Sequence, residues 1–384
     1  MVQEGQGRIA GVDALRGFDM LLLTGGAALL AGGLDLACGG SMPAEWAVQF
    51  RHADWGQGFT CWDLVMPLFL FIVGAAMPFT FAGYAAKCGE RWRRAAAWRA
   101  CRRVVLLFVL GMLVQGRLAS ADTARMSLFC NTLQAIAMGY LIAVPFVMWA
   151  RVRSQLAGAL ACLLLYWAAM RFIPYGGHGG GRFLPHDNLA LYLDCLLQGH
   201  WQDGTPYTWI LTSLAFGGLT LIGVLGGQAL RHLAGLRAVG ILALAGAASL
   251  GTALLLELDT PLIKHLFTVT MVFWSGGWCL MLLALFHLLF DVLGSGGGLI
   301  GRACAALAFP LRVIGCNALL AYLLAECPGV GGHSLWWGIA APMLSPLAAV
   351  LAPEHAQLAF DVLSYALFWL MLLWLYRHKA YLRV

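Results

Sequence analysis

The chain has 384 residues, of which 61% are hydrophobic and only 11% charged, with a formal net charge of +6. Soluble domains carry about 25% charged residues, so this composition excludes an ordinary water-soluble fold. The positive balance fits loops facing anionic lipid rather than nucleic acid as a partner.

Apolar runs near 20 residues recur from end to end, each long enough to cross a hydrocarbon core of about 30 Å. In chain order they predict spans at 17–36, 61–83, 101–118, 129–150, 155–173, 207–230, 238–256, 264–290, 309–326 and 358–376. The expected fold is an all-α polytopic membrane protein, a bundle of about ten transmembrane helices forming a single domain over 1–384. The first run reads as a retained span, because cleavage behind it would remove Asp13 to Asp19. Segment 335–352 is apolar but broken by Pro342 and Pro346, with Pro353 just beyond, and counting it gives eleven spans.

Basic residues choose between ten and eleven, since cytoplasmic loops concentrate Lys and Arg. With ten spans and a cytoplasmic N-terminus, eighteen of the 24 Lys and Arg fall on the inner side, Arg8 and Arg383 among them. Only Arg51, Arg117, Arg125, Arg171, Arg182 and Lys264 fall outside. Both termini are then cytoplasmic, with outer loops at 37–60, 174–206 and 327–357 and a basic inner loop at 84–103. Segment 335–352 becomes an outer helical hairpin or interfacial piece. The eleven cysteines show neither CxxC spacing nor a Cys/His cluster, so no metal site is expected.

Four polar constellations interrupt the apolar pattern. Asp13, Arg16 and Asp19 sit at the inner end of the first span. Asp13 and Arg16 are three apart and share a helical face, as a salt-bridged anchor or as part of a ligand vestibule. Next comes Arg51-His52-Ala53-Asp54-Trp55-Gly56, followed by Cys61-Trp62-Asp63. A titratable ring and a carboxylate at the mouth of a span are expensive to keep there, and histidine is the side chain suited to moving protons near neutral pH. His52 is therefore the first candidate for chemistry. Asn131 and Gln134 lie at the outer end of the fourth span, where amides commonly tie helices together. Asn317 lies deep in the ninth predicted span, as interhelical glue or as the wall of a polar cavity. Lys264 and His265 add polar positions at the start of the eighth.

Taken in order, these pieces resemble a family: the bacterial relatives of heparan-α-glucosaminide N-acetyltransferase, transmembrane acyltransferases that use acetyl-CoA. The resemblance is carried by Asp13-Ala14-Leu15-Arg16-Gly17-Phe18-Asp19-Met20, His52-Ala53-Asp54-Trp55, Asp63-Leu64-Val65-Met66-Pro67, Leu133-Gln134, Leu221-Ile222-Gly223-Val224-Leu225-Gly226-Gly227, Gly315-Cys316-Asn317-Ala318 and Tyr376-Arg377-His378-Lys379. It departs at Thr24, where the family often has Asn, at Ala135, where it usually has Arg, and at Gln202 to Pro206, which replace an acidic stretch.

The resemblance implies a ten-span enzyme of the bacterial inner membrane. It implies that His52 is the catalytic histidine. It implies that acetyl from cytoplasmic acetyl-CoA passes to an amino sugar or related glycan acceptor on the periplasmic side, in an N- or O-acetyl transfer. Coenzyme A is a polyanion, and cations at the inner mouth suit its phosphates. Arg16, Arg93, Arg94, Arg99, Arg102 and Arg103 are the expected donor-binding set. Asp63 is expected to orient the imidazole, and Asn131 or Asn317 to steady an oxyanion. The expected partners are acetyl-CoA, the glycan acceptor and membrane lipid, and a homodimer is compatible with the sequence. The competing reading is a small-solute transporter or channel, since buried polar residues and glycine-rich spans serve that equally well.

Overall fold

The structure, a computed structural model, describes residues 9–118, 124, 126–329, 333–351 and 355–382. Arg8, Arg125, Pro353 and Arg383, used above in counting charges and spans, lie outside the described residues. Hydrocarbon offers backbone groups no hydrogen-bond partner, so long apolar runs must satisfy themselves as helices. The described elements are accordingly helices, with three isolated two-residue bridges and no longer strand among them. Nine helical segments among the described residues are long and apolar enough to cross a membrane, and one of these, Cys61–Val114, contains two helices. The chain is an all-α polytopic membrane protein.

The helices, in order, are α1 (Ala10–Ala37), α2 (Val65–Cys88), α3 (Trp92–Val114), α4 (Thr132–Trp149), α5 (Val152–Phe172), α6 (Leu189–Gln198), α7 (Ser213–His232), α8 (Leu236–Leu256), α9 (Val269–Leu293), α10 (Gly298–Cys316), α11 (Ala318–Glu326), α12 (Leu335–Leu351) and α13 (Ala356–Arg377). Helix α1 is kinked at Thr24 and Gly25, where Gly25 takes φ 121° and Thr24 Oγ1 donates to Met20 O at 2.7 Å.

Glycines bring the central pair together. A Cβ at Gly74 of α2 would fall on Thr220 O of α7, and one at Gly223 or Gly227 of α7 would fall on Phe71 O or Ala75 O of α2. Gly223 and Gly227 form a GxxxG ridge, the small-residue surface that lets membrane helices approach backbone to backbone. Helices α1 and α10 meet the same way, through Gly17 against Leu311 O and Gly315 against Asp13 O. Around these crossings the core is filled by Leu15, Met20, Phe71, Leu133 and Phe216, all buried.

Several expected boundaries move. Segment 84–103 is not a loop. Helix α2 runs to Cys88, a single turn follows at Gly89–Arg91, and α3 begins at Trp92. Arg and Ala are strong helix formers, so the helix extends through the basic stretch where the apolar signal stops. The eighth span starts at Val269 rather than 264, because Thr268 caps it by accepting from Met271 N and Phe267 takes φ 49°. The ninth is split at Asn317 into α10 and α11. Segment 335–352 is one helix of 17 residues, α12, which packs on α13 through Trp336 and Phe368 at 5.0 Å.

Candidate active site

At one end of the bundle, Thr60 and Asp63 form the turn that starts α2. Asp63 Oδ2 accepts from Thr60 N at 3.2 Å and Ala53 N at 3.1 Å, with Thr60 Oγ1 3.0 Å away. Thr60 Oγ1 in turn donates to Arg51 O at 2.7 Å, closing the 51–60 loop onto the helix start. One carboxylate oxygen is thus committed to shaping the loop that carries His52.

The other oxygen faces His52 and Lys264. Asp63 Oδ1 lies 3.0 Å from His52 Nδ1 and 3.1 Å from Lys264 Nζ, while Lys264 Nζ lies 2.7 Å from His52 Nδ1. Asp63 is 1% exposed and Lys264 9%, but the His52 side chain is 47% exposed. A buried carboxylate therefore grips Nδ1 and leaves Nε2 as the ring nitrogen open to a substrate. This is the geometry of a general base or nucleophile oriented by a third group.

Lys264 was visible in the sequence as a polar position at the start of a span, without a role. The signal that could have found it is a charged residue beside a histidine at a membrane helix mouth. Its neighbour His265 stacks on Trp55 at 5.0 Å and on Tyr207 at 4.4 Å, and Trp55 Nε1 donates to Phe183 O at 2.9 Å. These contacts tie the loops 37–60 and 174–206, Tyr207 and the loop ahead of α9 together beside His52. Burial pushes the Lys264 ammonium below the usual lysine range, against the pull of Asp63, and burial followed by Lys264 pushes His265 down.

The expected oxyanion donors are spent elsewhere. Asn131 caps α4: its Oδ1 accepts from Leu133 N at 2.7 Å and Tyr322 Oη at 3.1 Å, and its Nδ2 donates to Gln115 Oε1 at 2.8 Å. Asn317 holds the C-terminal tail, donating to Ala380 O at 3.2 Å and accepting from Leu382 N at 3.1 Å. Neither is brought to His52.

The opposite end holds a cavity of about 590 Å³, lined by Asp13, Arg16, Tyr84, Arg99, Arg102, Arg103 and Tyr140 around an apolar wall that includes Phe69 and Leu133. This is the size range of small-molecule and cofactor sites. Arg16 pairs with Asp13 at 3.4 Å, as their spacing predicts. The Arg99 and Arg103 guanidinium groups lie over the Tyr84 and Tyr140 rings at 4.8 and 4.7 Å, and Arg103 Nε is buried without a hydrogen-bond partner among the described residues. Four of the six expected arginines therefore converge. Arg93 and Arg94 are exposed on α3 and do not line the cavity.

His52 does not line it either. Phe69, the cavity-lining residue of α2 nearest Asp63 in sequence, is six residues from it, roughly 9 Å along a helix axis. Asp19, named with Asp13 and Arg16 from the sequence, is separate from both sites. It is 1% exposed, and neither carboxylate oxygen has a hydrogen-bond partner among the described residues.

The fold and this polar site define a polytopic helical membrane protein with a Lys–Asp–His cluster at one end and an arginine-lined cavity at the other. No family model matches the chain, and no curated protein matches it in sequence.

Proposed function

We propose that this protein is a transmembrane acyltransferase that moves acetyl from cytoplasmic acetyl-CoA to an amino sugar or related glycan acceptor across the membrane. The observation that carries this reading is the His52–Asp63 contact at 3.0 Å, which leaves the exposed imidazole one open nitrogen. The resemblance of the ordered sequence pieces to the heparan-α-glucosaminide N-acetyltransferase family supports the same reading.

In this account the nucleotide phosphates meet Arg99, Arg102 and Arg103 at the cavity mouth. Charge-assisted contacts of that kind are among the strong ones. The pantetheine arm extends along α2 towards Phe69 and onward to the Asp63 level. His52 Nε2 then takes the acceptor's proton as the acceptor attacks the thioester carbonyl and returns it to the departing CoA thiolate, or it attacks the carbonyl itself, expelling CoA and passing the acetyl on to the acceptor. The arginine end is cytoplasmic, the His52 end periplasmic, and the membrane is the bacterial inner membrane.

A second reading, a small-solute transporter, is favoured by Asp19. A carboxyl held away from water within a span commonly marks a proton or cation path. The discriminating experiment supplies purified protein with acetyl-CoA and a panel of amino sugars and oligosaccharides, and in parallel measures solute flux in liposomes. Acceptor-dependent release of the CoA thiol supports the transferase; flux without thioester turnover supports the transporter.

A further inference from the structure

One oxygen of Asp63 accepts from Ala53 N and Thr60 N and lies against Thr60 Oγ1, so His52 and Lys264 share the other. His52 Nδ1 and Lys264 Nζ lie 3.0 and 3.1 Å from it, and they also touch each other at 2.7 Å. A hydrogen bond needs one donor and one acceptor. With Asp63 ionised and the ring neutral, an ammonium at Nζ, which can only donate, admits one ring tautomer, whereas a neutral amine, which can donate and accept, admits both.

If Lys264 is an ammonium, Nζ donates to Asp63 Oδ1 and to His52 Nδ1. Nδ1 must then carry a lone pair, the ring hydrogen sits on Nε2, and the exposed nitrogen can accept nothing. If Lys264 is a neutral amine, Nδ1–H can donate to the Asp63 Oδ1 carboxylate at 3.0 Å, a charge-assisted bond stronger than the one Nδ1 would accept from the amine, and Nε2 then presents its lone pair outward. Passing from the first state to the second sends one proton from Nζ to solvent and shifts the ring hydrogen from Nε2 to Nδ1.

We propose that Lys264 is a positioning residue that sets the tautomer of His52, holding the ring inactive while charged and releasing Nε2 when neutral. The catalytic consequence rests on the acyltransferase reading; the tautomer itself does not. The titratable groups facing this contact are Asp63 and His52 from the 51–63 segment, His265 from the lysine's own loop, and Tyr207 from the segment ahead of α7, which stacks on His265. Burial favours the neutral amine, Asp63 opposes it, and the net effect moves the exchange below the ordinary lysine range.

The test is nitrogen NMR of the imidazole rings in full-length protein labelled with ¹⁵N-histidine, titrated with pH. His52→Gln identifies the His52 signals among the ten histidines. The wild type should pass from the Nε2–H to the Nδ1–H form as pH rises, in a step separate from loss of the imidazolium. Lys264→Met should show the Nδ1–H form at every pH above the imidazolium step. Lys264→Arg, whose guanidinium stays charged, should show the Nε2–H form throughout. The same tautomer in the wild type and both variants would overturn the proposal. Should Lys264→Met fail to fold, the arginine variant alone still decides it, because wild-type switching must vanish there. If the tautomer follows Lys264 but no thioester turns over, only the transferase reading falls. If turnover is present and the tautomer ignores Lys264, only this proposal falls.

Discussion

Lys264 Nζ reaches Asp63 Oδ1 at 3.1 Å from the loop ahead of α9, so a lysine far along the chain completes the contact begun by His52. The carboxylate between them also caps the Cys61–Leu64 turn that leads into α2. Structure and chemistry therefore fail together when it is changed.

Asp63→Ala is expected to destabilise the protein by about 3–5 kcal/mol, the usual cost of stripping one partner from a buried ion pair. It leaves Lys264 nearly buried and uncompensated, and it frees Ala53 N and Thr60 N from their acceptor. Thermal unfolding in detergent should show a drop of several degrees, while Asp54→Ala, on an exposed residue of the same loop, should leave the midpoint unchanged.

His52→Ala should do the reverse. The His52 side chain is about half exposed, 47%, and its removal leaves Asp63 still paired with Lys264, Ala53 N and Thr60 N. The protein should insert and unfold as the wild type does, with acetyl transfer reduced by at least about a hundredfold, the lower range for removing a positioned acid–base group.

The arginine cavity makes a sharper claim than the sequence could. Neutralising Arg102 and Arg103 together removes two charge-assisted contacts of about 1.5–3 kcal/mol each. That should raise the Kd for coenzyme A a hundredfold or more, since about 1.4 kcal/mol is tenfold. Neutralising Arg93 and Arg94, which lie outside the cavity, should leave it unchanged. Calorimetric titration at two salt concentrations checks both; equal losses from both pairs would reduce the effect to general surface charge.

How far the sequence was legible follows from what each signal measures. Apolar length located the spans because hydrocarbon thickness sets it, but it missed the start of α3. Arg93 to Arg103 form the first turns of a helix whose apolar stretch begins only near 101. The His52 and Asp63 pairing was readable because both are costly at a span mouth. Lys264 was not, since its partner depends on how α9 packs beside α2, and no local pattern records that. Asn131 and Asn317 stood out for the same burial that marks functional groups, yet their polar atoms cap α4 and tie down Ala380 and Leu382.

The crossing of α2 and α7 offers a test of the fold itself. Gly74→Leu would drive a side chain into Thr220 O, where even a Cβ has no room. Overpacking a tight contact costs about 1–3 kcal/mol or more, so the variant should unfold at lower temperature and lose acetyl transfer with it. Gly83→Leu, on the same helix with open space around it, should be tolerated.

The most direct measurement of the central claim is release of the CoA thiol from acetyl-CoA by purified wild type and His52→Ala, at matched folding and with an amino-sugar acceptor present. The account predicts acceptor-stimulated release by the wild type and release no faster than the uncatalysed background for the variant. Equal release by both, or none by either across the acceptor panel, would contradict it.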